Sequence, residues 1–289
     1  MNDKNFLILG AAGQLGSALR QKYPGARATD IGELDITDPK SVENFDWSKI
    51  KIVFNAAAYT NVDGAQTPKG RKAAWRVNAH AVMSLARAAV KHNLTLFHIS
   101  TDYVFDGTQD NHLETETFSP ISVYGASKAA GDLAAASAPK HYILRASWVI
   151  GNGPNFVRTM IGLAEKNVSP EVVSDQIGRL TFTSTLVDAI NHLLNPKSQI
   201  PNPKYGTYNV TNDGEPASWA DITKAIFKEL GRDDLSVTDT TTAEYFADKP
   251  NVAQRPLKST LDLTKIKATG FKPTGWKSDL SKYIRGPHV

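Results

Sequence analysis

The sequence predicts an α/β protein built on a doubly wound parallel sheet, and three observations lead to this prediction. Short apolar runs alternate with helical segments over residues 1–145. A glycine-rich turn joins the first apolar run to the first helical segment, and the alternation ends at about Gly151. We therefore predict one domain over residues 1–150 and a smaller, mostly helical domain over most of residues 151–289. Some later strands are expected to return to the first sheet.

The strands are predicted from short apolar runs. Residues 6–9 are four apolar residues followed by glycine, which is typical of a buried parallel strand. Residues 27–30 form a weak second strand, whereas residues 52–55 form a strong third one. Residues 95–99 and 141–144 complete the predicted set. Because helices separate these strands, right-handed crossovers make the sheet parallel.

The helices are predicted from periodic or alanine-rich segments. The first, over residues 14–22, places its leucines on one face. Residues 71–92 are rich in alanine and contain no proline, which predicts one long helix. Ser218 and Asp221 form a predicted capping box at the start of the last helix. The remaining predicted helices cover residues 124–137, 155–166, 184–194 and 218–230.

Composition and charge exclude several classes of protein. The 289 residues are 41% hydrophobic and 21% charged, which excludes a disordered chain. No apolar run approaches the roughly 20 residues that span a bilayer, so no membrane partner is expected. The net charge of +4 is spread along the chain, and the seven histidines lack metal-ligand spacing, so neither nucleic acid nor a metal is expected. The absence of cysteine and of an N-terminal targeting segment predicts a cytoplasmic protein.

The turn after the first strand carries three glycines, Gly10, Gly13 and Gly16, and leads directly into a helix. Glycines in this context allow a tight turn and bring the backbone close to a pyrophosphate at the helix N-terminus. Asp30 follows at the end of the second strand, where a carboxylate can bind the adenosine ribose of a dinucleotide. The sequence therefore predicts a Rossmann-like dinucleotide-binding domain. The alternative is a plain structural turn beside a surface aspartate.

Asp30 also bears on the choice of cofactor, because a carboxylate accepts from a ribose 2′-hydroxyl but repels a 2′-phosphate. This position favours NADH, whereas the nearby Arg20 and Arg27 can accommodate the phosphate of NADPH. Asp35 and Ile36 are expected to contact the adenine. We expect NADPH, NADH or both as the cofactor.

Tyr124 and Lys128 lie four residues apart in a predicted helix, so their side chains share a face. An ammonium group beside a phenol is expected to lower the pKa of the tyrosine. Such a tyrosine can donate a proton to a carbonyl oxygen as hydride reaches the carbon. Thr101, at the end of the fourth strand, can share that oxygen. Tyr124, Lys128 and Thr101 are therefore the predicted catalytic residues. Tyr124 and Lys128 are also expected to contact the cofactor. The alternative is that these two residues merely belong to an exposed face of a helix.

Seven sequence blocks occur in an order that resembles one family of enzymes. They begin at Gly10, Asn55, Ser100, Tyr124, Arg145, Asp175 and Arg255 and read GAAGQLG, NAAAYTNVD, STDYVFDG, YGASK, RASW, DQIG and RPLKST. Together they resemble the dTDP-4-dehydrorhamnose reductases, of the extended short-chain dehydrogenase/reductase superfamily, over nearly the whole chain. The STDYVFDG block and the distal Arg255 with its proline are more specific than the shared glycines.

The resemblance implies NAD(P)H-dependent reduction of the C4 ketone of dTDP-4-dehydro-β-L-rhamnose to dTDP-L-rhamnose. It implies Tyr124 as the proton donor, with Lys128 and Thr101 as its partners. Besides Gly10 of the glycine turn, the implied cofactor contacts are Gly13, Gln14, Leu15, Asp30, Asp35, Ile36, Ala58, Tyr59 and Thr60. The implied substrate contacts are Thr101, Asp102 and Trp148. We place Arg255 with them, because a planar guanidinium can bind phosphate oxygens through paired hydrogen bonds.

A few positions depart from the family pattern. Leu180 stands in place of a proline, and Gln66 and Asp132 stand in place of glutamates. Some members bind a divalent metal through an acidic residue just after the glycine turn, but Ser17 and Ala18 occupy that stretch here. The sequence therefore gives no support to a metal-bridged dimer, and it leaves a homodimer of another kind open.

Two other functions share parts of this pattern. A nucleotide-sugar 4,6-dehydratase or 4-epimerase has the same glycine turn and Tyr–Lys pair. The dehydratases resemble one another in an Asp–Glu pair after the threonine, where this chain has Asp102 and Tyr103. A non-catalytic NADP-binding regulatory subunit is the other alternative, since the β-subunit of methionine adenosyltransferase is similar to these reductases. The intact Thr101, Tyr124 and Lys128 favour an enzyme.

Overall fold

The computed structural model describes residues 2–195, 204–250 and 252–286. Its strands are β1 (Phe6–Leu9), β2 (Arg27–Thr29), β3 (Ile52–Asn55), β4 (Thr95–Thr101), β5 (His141–Ala146), β6 (Val149–Ile150), β7 (Glu171–Val173), β8 (Ile177–Gly178), β9 (Thr181–Phe182), β10 (Gly206–Asn209), β11 (Ala217–Ser218) and β12 (Thr238–Thr240). Its α-helices are α1 (Gln14–Lys22), α2 (Pro39–Asn44), α3 (Pro68–Trp75), α4 (Ala81–Lys91), α5 (Val123–Ala136), α6 (Phe156–Glu165), α7 (Thr183–Leu194), α8 (Trp219–Glu229), α9 (Thr242–Phe246), α10 (Thr264–Ala268) and α11 (Trp276–Arg285).

Six strands form one parallel sheet in the order β10-β5-β4-β3-β1-β2. Strands β2 and β3 pair with opposite edges of β1, so the direction in which the sheet is built reverses at β1. A crevice opens outside the carboxyl ends of the strands at such a point, and ligands of open α/β sheets bind there. The predicted doubly wound parallel sheet is confirmed, and β10, from the second half of the chain, forms one of its edges.

Buried apolar side chains cover both faces of the sheet. One face packs against α1 and α7 through a cluster that includes Leu19 and Leu186. The other face packs against α2 and α4 through a cluster that includes Val42 and Leu85. Burial of these side chains is the main favourable contribution to folding, and it fixes the strand ends that form the crevice.

The smaller part of the molecule has an apolar core of its own, among α6, α8 and α11. Trp276 is buried within it, and α8 begins with the predicted capping box of Ser218 and Asp221. The short pairs β6–β9, β7–β12 and β8–β11 belong to this part of the chain. In contrast, α7 and several side chains of residues 263–271 join the cluster on the sheet. The second half of the chain therefore contributes to both cores.

The observed elements differ from the predicted ones in two respects. The helix predicted over residues 71–92 begins at Pro68, and a π-helical turn, Arg76–His80, divides it into α3 and α4. The helices α2, α9, α10 and α11 and the strands β6, β7, β8, β9, β11 and β12 have no counterpart in the prediction. All of these except α11 have six residues or fewer, and elements of that length are stabilised by tertiary contacts rather than by a sequence pattern. None of the helices in the described ranges is both long and apolar enough to cross a membrane.

Candidate active site

The glycine turn holds α1 close to two strands of the sheet. Gly10 has φ +73°, in the left-handed region, and a Cβ on it would lie 2.7 Å from the backbone nitrogen of Ala57. A Cβ on Gly16 would collide with the carbonyl oxygen of Gly10. Because the backbone leaves no space at either position, glycine is required at both to bring the N-terminus of α1 to the crevice.

Gly13 differs from these two glycines because the protein leaves more room beside it. The nearest described heavy atom to a Cβ on Gly13 would be the carbonyl oxygen of Gly10, at 3.3 Å. Gly13 is also the N-cap of α1, and no described side chain caps the first turn. Uncapped N–H groups beside a residue without a side chain fit a phosphate that approaches the backbone closely.

Six of the predicted cofactor residues line one cavity of about 550 Å³ at the carboxyl ends of β1, β2 and β3. They are Gly10, Gly13, Asp30, Asp35, Ile36 and Ala58. Asp30 is exposed at the end of β2, whereas Ile36 is buried. A partly apolar cavity with a carboxylate at its rim fits the adenosine half of a dinucleotide.

Six predicted cofactor residues lie outside that lining, namely the catalytic Tyr124 and Lys128, described below, and Gln14, Leu15, Tyr59 and Thr60. Leu15 is buried in the apolar core, and the side-chain oxygen of Gln14 accepts from the backbone N–H of Gly151 at 2.7 Å. The side chains of both residues are therefore engaged within the protein, whereas no described side chain caps the backbone N–H groups of the first turn of α1. Tyr59, partly buried, and Thr60, exposed, lie in the loop that follows β3.

Arg20 and Arg27, which the sequence offers for a 2′-phosphate, do not line the cavity of about 550 Å³ described above, which we call the dinucleotide cavity. The guanidinium carbon of Arg27 lies 4.4 Å from the ring centroid of Phe45. Arg20 lines a different cavity, beside Tyr23 and Pro24. Asp30 is therefore the charged residue at the end of β2 that lines the dinucleotide cavity.

Thr101 and Tyr124 come together at the carboxyl end of β4. Gly125 allows this, because a Cβ there would collide with the carbonyl oxygen of Tyr103 and displace α5 from the sheet. The hydroxyl of Thr101 is hydrogen-bonded to the phenol of Tyr124, and it donates to Oδ1 of Asp102 at 2.9 Å. A hydroxyl has one proton, which Thr101 can donate either to this carboxylate or to the oxygen of Tyr124.

Tyr124 retains its proton in this environment. Burial raises the pKa of Tyr124 above its usual value, and the carboxylate of Asp102 raises it further. The prediction of a lowered pKa is therefore wrong, because burial and Asp102 outweigh any effect of Lys128. The ammonium group of Lys128 is itself buried, and it donates to the carbonyl oxygen of Ile99. A phenol that stays protonated at neutral pH is the form that a proton donor requires.

Lys128 is 2% exposed, and its Nζ lies 2.6 Å from the carbonyl oxygen of Ile99. Burial lowers the pKa of Lys128 to about 8, and the nearby Asp132 opposes this shift. Asp132 is also buried, and it accepts from Nε of Arg145 at 3.0 Å. Two buried cations, Lys128 and Arg145, thus share one buried carboxylate.

Asp102, a predicted substrate contact, is 2% exposed at the end of β4. Burial raises the pKa of Asp102 to about 6, although hydrogen bonds from Ser259 and Thr101 and the electrostatic effect of His112 lower it. The ionisation of this carboxyl near neutral pH therefore depends on the groups around it.

Trp148, the predicted sugar or base contact, packs with Trp219 and Phe156 in a group of rings that we call the aromatic wall. It has φ +48°, an uncommon value for a residue that carries a side chain. Its ring stacks on Trp219 with centroids 3.8 Å apart and planes inclined by 21°, and Phe156 packs against Trp219 at 4.3 Å. Gly178 leaves space for the indole, since a Cβ there would lie 3.0 Å from Cζ2 of Trp148.

Arg255 lines a second cavity, of about 180 Å³, together with Trp219 and Phe246. Its Nη2 donates to Oδ2 of Asp63 at 2.8 Å, and its guanidinium carbon lies 4.6 Å from the ring centroid of Phe246. The side chain of Arg255 is 16% exposed. Because Asp63 follows β3, this ion pair joins the two halves of the chain across the crevice. Across the described ranges, no group of three or more histidine, aspartate or glutamate side chains can hold a metal ion.

A protein-family model described as the RmlD substrate binding domain matches residues 4–287 of the chain. The chain belongs to this family. The resemblance carried by the seven sequence blocks is thereby confirmed.

Three similar proteins show how far the match extends. The dTDP-4-dehydrorhamnose reductase of Aggregatibacter actinomycetemcomitans is 41% identical over 96% of this chain and 97% of its own length. A crystal structure of such a reductase from Clostridium acetobutylicum has a TM-score of 0.87 and 35% identity, covering 96% of this chain and 98% of that one. The reductase from Bacillus anthracis in complex with NADP has a TM-score of 0.86 and 33% identity, covering 96% and 98%. The RmlD-family fold therefore extends over nearly the whole chain.

Some contacts in this RmlD-family site could not be predicted from the sequence, because no pattern along the chain indicates them. Trp219 directly follows the cap of α8, and no local pattern places it against Trp148. Asp63 lies in one of the matching blocks, but its contact with Arg255 joins residues 192 positions apart. Contacts of this kind depend on how the strands are ordered, which spacing along the chain does not reveal.

Proposed function

We propose that this chain reduces the C4 ketone of dTDP-4-dehydro-β-L-rhamnose to dTDP-L-rhamnose, with NADPH or NADH as the cofactor. The relatives named dTDP-4-dehydrorhamnose reductase support the reaction and the class of substrate. The NADP complex of the Bacillus anthracis reductase supports the cofactor.

One observation carries the proposal, namely the place of the Thr101–Tyr124 pair in the sheet. The dinucleotide cavity lies at the ends of β1, β2 and β3, and the aromatic wall begins at Trp148, just after β5. Strand β4 lies between β3 and β5, so its end, with Thr101, lies between the two regions. A carbonyl held there can receive hydride from one side and a proton from Tyr124.

Reduction of a ketone adds a hydride to carbon and a proton to oxygen. The nicotinamide cofactor, when bound, supplies the hydride. Tyr124 supplies the proton, because its raised pKa keeps the phenol protonated until a basic oxygen forms beside it. Thr101 orients that phenol through their hydrogen bond. The ammonium of Lys128, one turn later on α5, favours the phenolate that remains after the transfer.

The substrate carries a pyrophosphate between a base and a ketosugar, and three groups suit these parts. The exposed part of the Arg255 guanidinium suits the phosphate oxygens. The stacked rings of Trp148 and Trp219 offer a flat apolar surface to the base or the sugar. The buried carboxylate of Asp102 can accept hydrogen bonds from sugar hydroxyls.

The test is oxidation of NADPH and of NADH by the purified chain, followed by cofactor absorbance, with the dTDP-ketosugar generated in situ. We expect the wild-type chain to consume cofactor and form dTDP-rhamnose, and a Tyr124→Phe control to do neither at a comparable rate. A wild-type chain that binds NADPH and dTDP-rhamnose but does not consume cofactor would contradict the proposal. That result would instead support a regulatory cofactor-binding subunit.

The epimerase alternative is separated by the cofactor that the protein retains. An epimerase oxidises and reduces its substrate with one bound nucleotide, so purified protein would carry NAD through gel filtration. A reductase has to exchange its cofactor in every turnover. We therefore expect the purified chain to lose the nucleotide on gel filtration and to require added NADPH or NADH.

We also propose that residues 1–150 mainly bind the cofactor and residues 151–289 mainly bind the nucleotide-sugar. The positions of the dinucleotide cavity and of the aromatic wall support this division. A homodimer and a cytoplasmic location stay predictions from the sequence. Light scattering of the purified chain would measure the mass of the oligomer, and cell fractionation would measure the location.

A further inference from the structure

His112 lies fully buried in the loop between β4 and α5, outside the catalytic group described above. Its Nδ1 lies 3.0 Å and 2.8 Å from the two carboxylate oxygens of Glu116. Its Nε2 lies 2.9 Å from the carbonyl oxygen of Lys258. A carboxylate and a carbonyl oxygen can only accept hydrogen bonds, so both ring nitrogens of His112 face acceptors.

A neutral imidazole has a single N–H and cannot donate at both nitrogens. We infer that His112 is a doubly protonated positioning residue, whose hydrogen bonds and ring contact hold the turn after β4, with Asp102, in the arrangement that binds the nucleotide-sugar. This inference rests on the proposed function of the crevice. Glu116, on the same loop, neutralises the imidazolium charge.

The contacts of His112 join three segments of the site. Its backbone N–H donates to the carbonyl oxygen of Thr260 at 2.8 Å, and its carbonyl oxygen accepts from the N–H of Asp262 at 2.9 Å. Its ring stacks on Phe105, with centroids 4.7 Å apart and planes 2° apart. His112 therefore connects the loop before α5 with the turn after β4 and with the segment that follows Arg255.

The charge of His112 also acts on the carboxylates of the turn after β4. It is among the groups that lower the pKa of Asp102, against the larger effect of burial, and it also lowers the pKa of Asp106. Charged groups close to it include Glu116, bound to its ring, and Asp262, whose backbone N–H donates to its carbonyl oxygen. The guanidinium carbon of Arg145 lies 5.2 Å from the ring centroid of Phe105, on which His112 stacks. Loss of the imidazolium would leave a larger fraction of Asp102 protonated near neutral pH. A protonated carboxyl group accepts fewer hydrogen bonds from a sugar than a carboxylate does.

The first measurement uses the wild-type chain. Nitrogen-15 NMR of the imidazole rings in a buffer near neutral pH reports which ring nitrogens carry a proton. We expect both nitrogens of His112 to be protonated, with the signals assigned by their loss in His112→Phe. An unprotonated Nδ1, with Glu116 as the donor in that hydrogen bond, would overturn the inference.

The second measurement compares His112→Phe with a matched control. Phenylalanine keeps a ring to stack on Phe105 but removes the charge and both side-chain hydrogen bonds. The control Asn111→Ala breaks an exposed hydrogen bond from Nδ2 of Asn111 to Oδ2 of Asp262, 2.7 Å long, between the same two segments. This control removes no charge near Asp102.

We expect the KM for the nucleotide-sugar to rise roughly two- to threefold in His112→Phe at about pH 7, because a larger fraction of Asp102 is protonated there. The rise should shrink at about pH 8.5, because Asp102 ionises again. The KM for NADPH should stay unchanged, and Asn111→Ala should resemble the wild type. Equal increases in both KM values, or an increase that does not depend on pH, would overturn the positioning role.

Failure of the proposed function gives a different result from failure of this inference. A wild-type chain that does not reduce the ketosugar contradicts the proposed function. Calorimetric titration of dTDP-rhamnose into the wild-type chain and His112→Phe then decides the inference by affinity alone. Weaker binding to the variant supports it, and equal binding overturns it.

Discussion

Asp132→Asn tests the charge arrangement behind the proposed proton donor. Asp132 is 1% exposed, accepts from Nε of Arg145 at 3.0 Å, and opposes the effect of burial on the pKa of Lys128. Asparagine keeps the shape but removes the charge, so two buried cations lose the anion between them. Breaking a buried pair costs about 3–5 kcal/mol. Because the amide oxygen can still accept from Arg145, we expect a loss of about 3 kcal/mol in the free energy of unfolding.

The same variant should change the pH dependence of turnover. Burial lowers the pKa of Lys128 to about 8, and loss of Asp132 removes the effect that opposes this shift, so the pKa falls further. The charged form of Lys128 supports Tyr124, so the loss of kcat at high pH should begin at a lower pH in Asp132→Asn.

Urea unfolding near neutral pH and a profile of kcat against pH measure these two effects. Asp132→Glu is the matched control, because it keeps the carboxylate on the same face of α5, and we expect a smaller change in both quantities. An unchanged high-pH side of the profile, with a stability loss below about 1 kcal/mol, would refute the electrostatic role of Asp132.

Three further predictions concern the remaining parts of the site. Tyr124→Phe should lower kcat by roughly 10²–10⁴-fold and leave the dissociation constant for NADPH unchanged, as single-turnover kinetics and fluorescence titration would measure. Asp30→Ala should raise the ratio of kcat/KM for NADPH to that for NADH, because it removes a ribose acceptor and a repulsive charge. Gly16→Ala should weaken NADPH binding and lower the Tm, because its Cβ collides with the carbonyl oxygen of Gly10.

Each of these predictions has an outcome that contradicts it. Near-normal turnover in Tyr124→Phe would remove the phenol as proton donor. A constant cofactor ratio in Asp30→Ala would mean that its carboxylate does not approach the ribose. A Tm for Gly16→Ala at or above that of the wild type would mean that the gain in helix propensity outweighs the collision.

Most of the main strands and helices, in their succession along the chain, and the location of the glycine turn could be predicted from the sequence. Local spacing was sufficient for these, because apolar runs predict buried strands and periodic or alanine-rich segments predict helices. The four-residue spacing of Tyr124 and Lys128 likewise fixed their common face on α5, and the end of β4 fixed the place of Thr101.

Contacts between distant residues, and the depth at which each titrating group is buried, depend on the folded arrangement of the whole chain. The stacking of Trp148 on Trp219, the ion pair of Asp63 and Arg255, and the acceptors on both nitrogens of His112 all depend on the order of strands and loops. The pKa of Tyr124 could not be derived from its spacing to Lys128. Spacing places the two groups on one face, but the energy of ionisation depends on burial and on the carboxylate of Asp102 at the end of β4, both of which exist at the site only after folding.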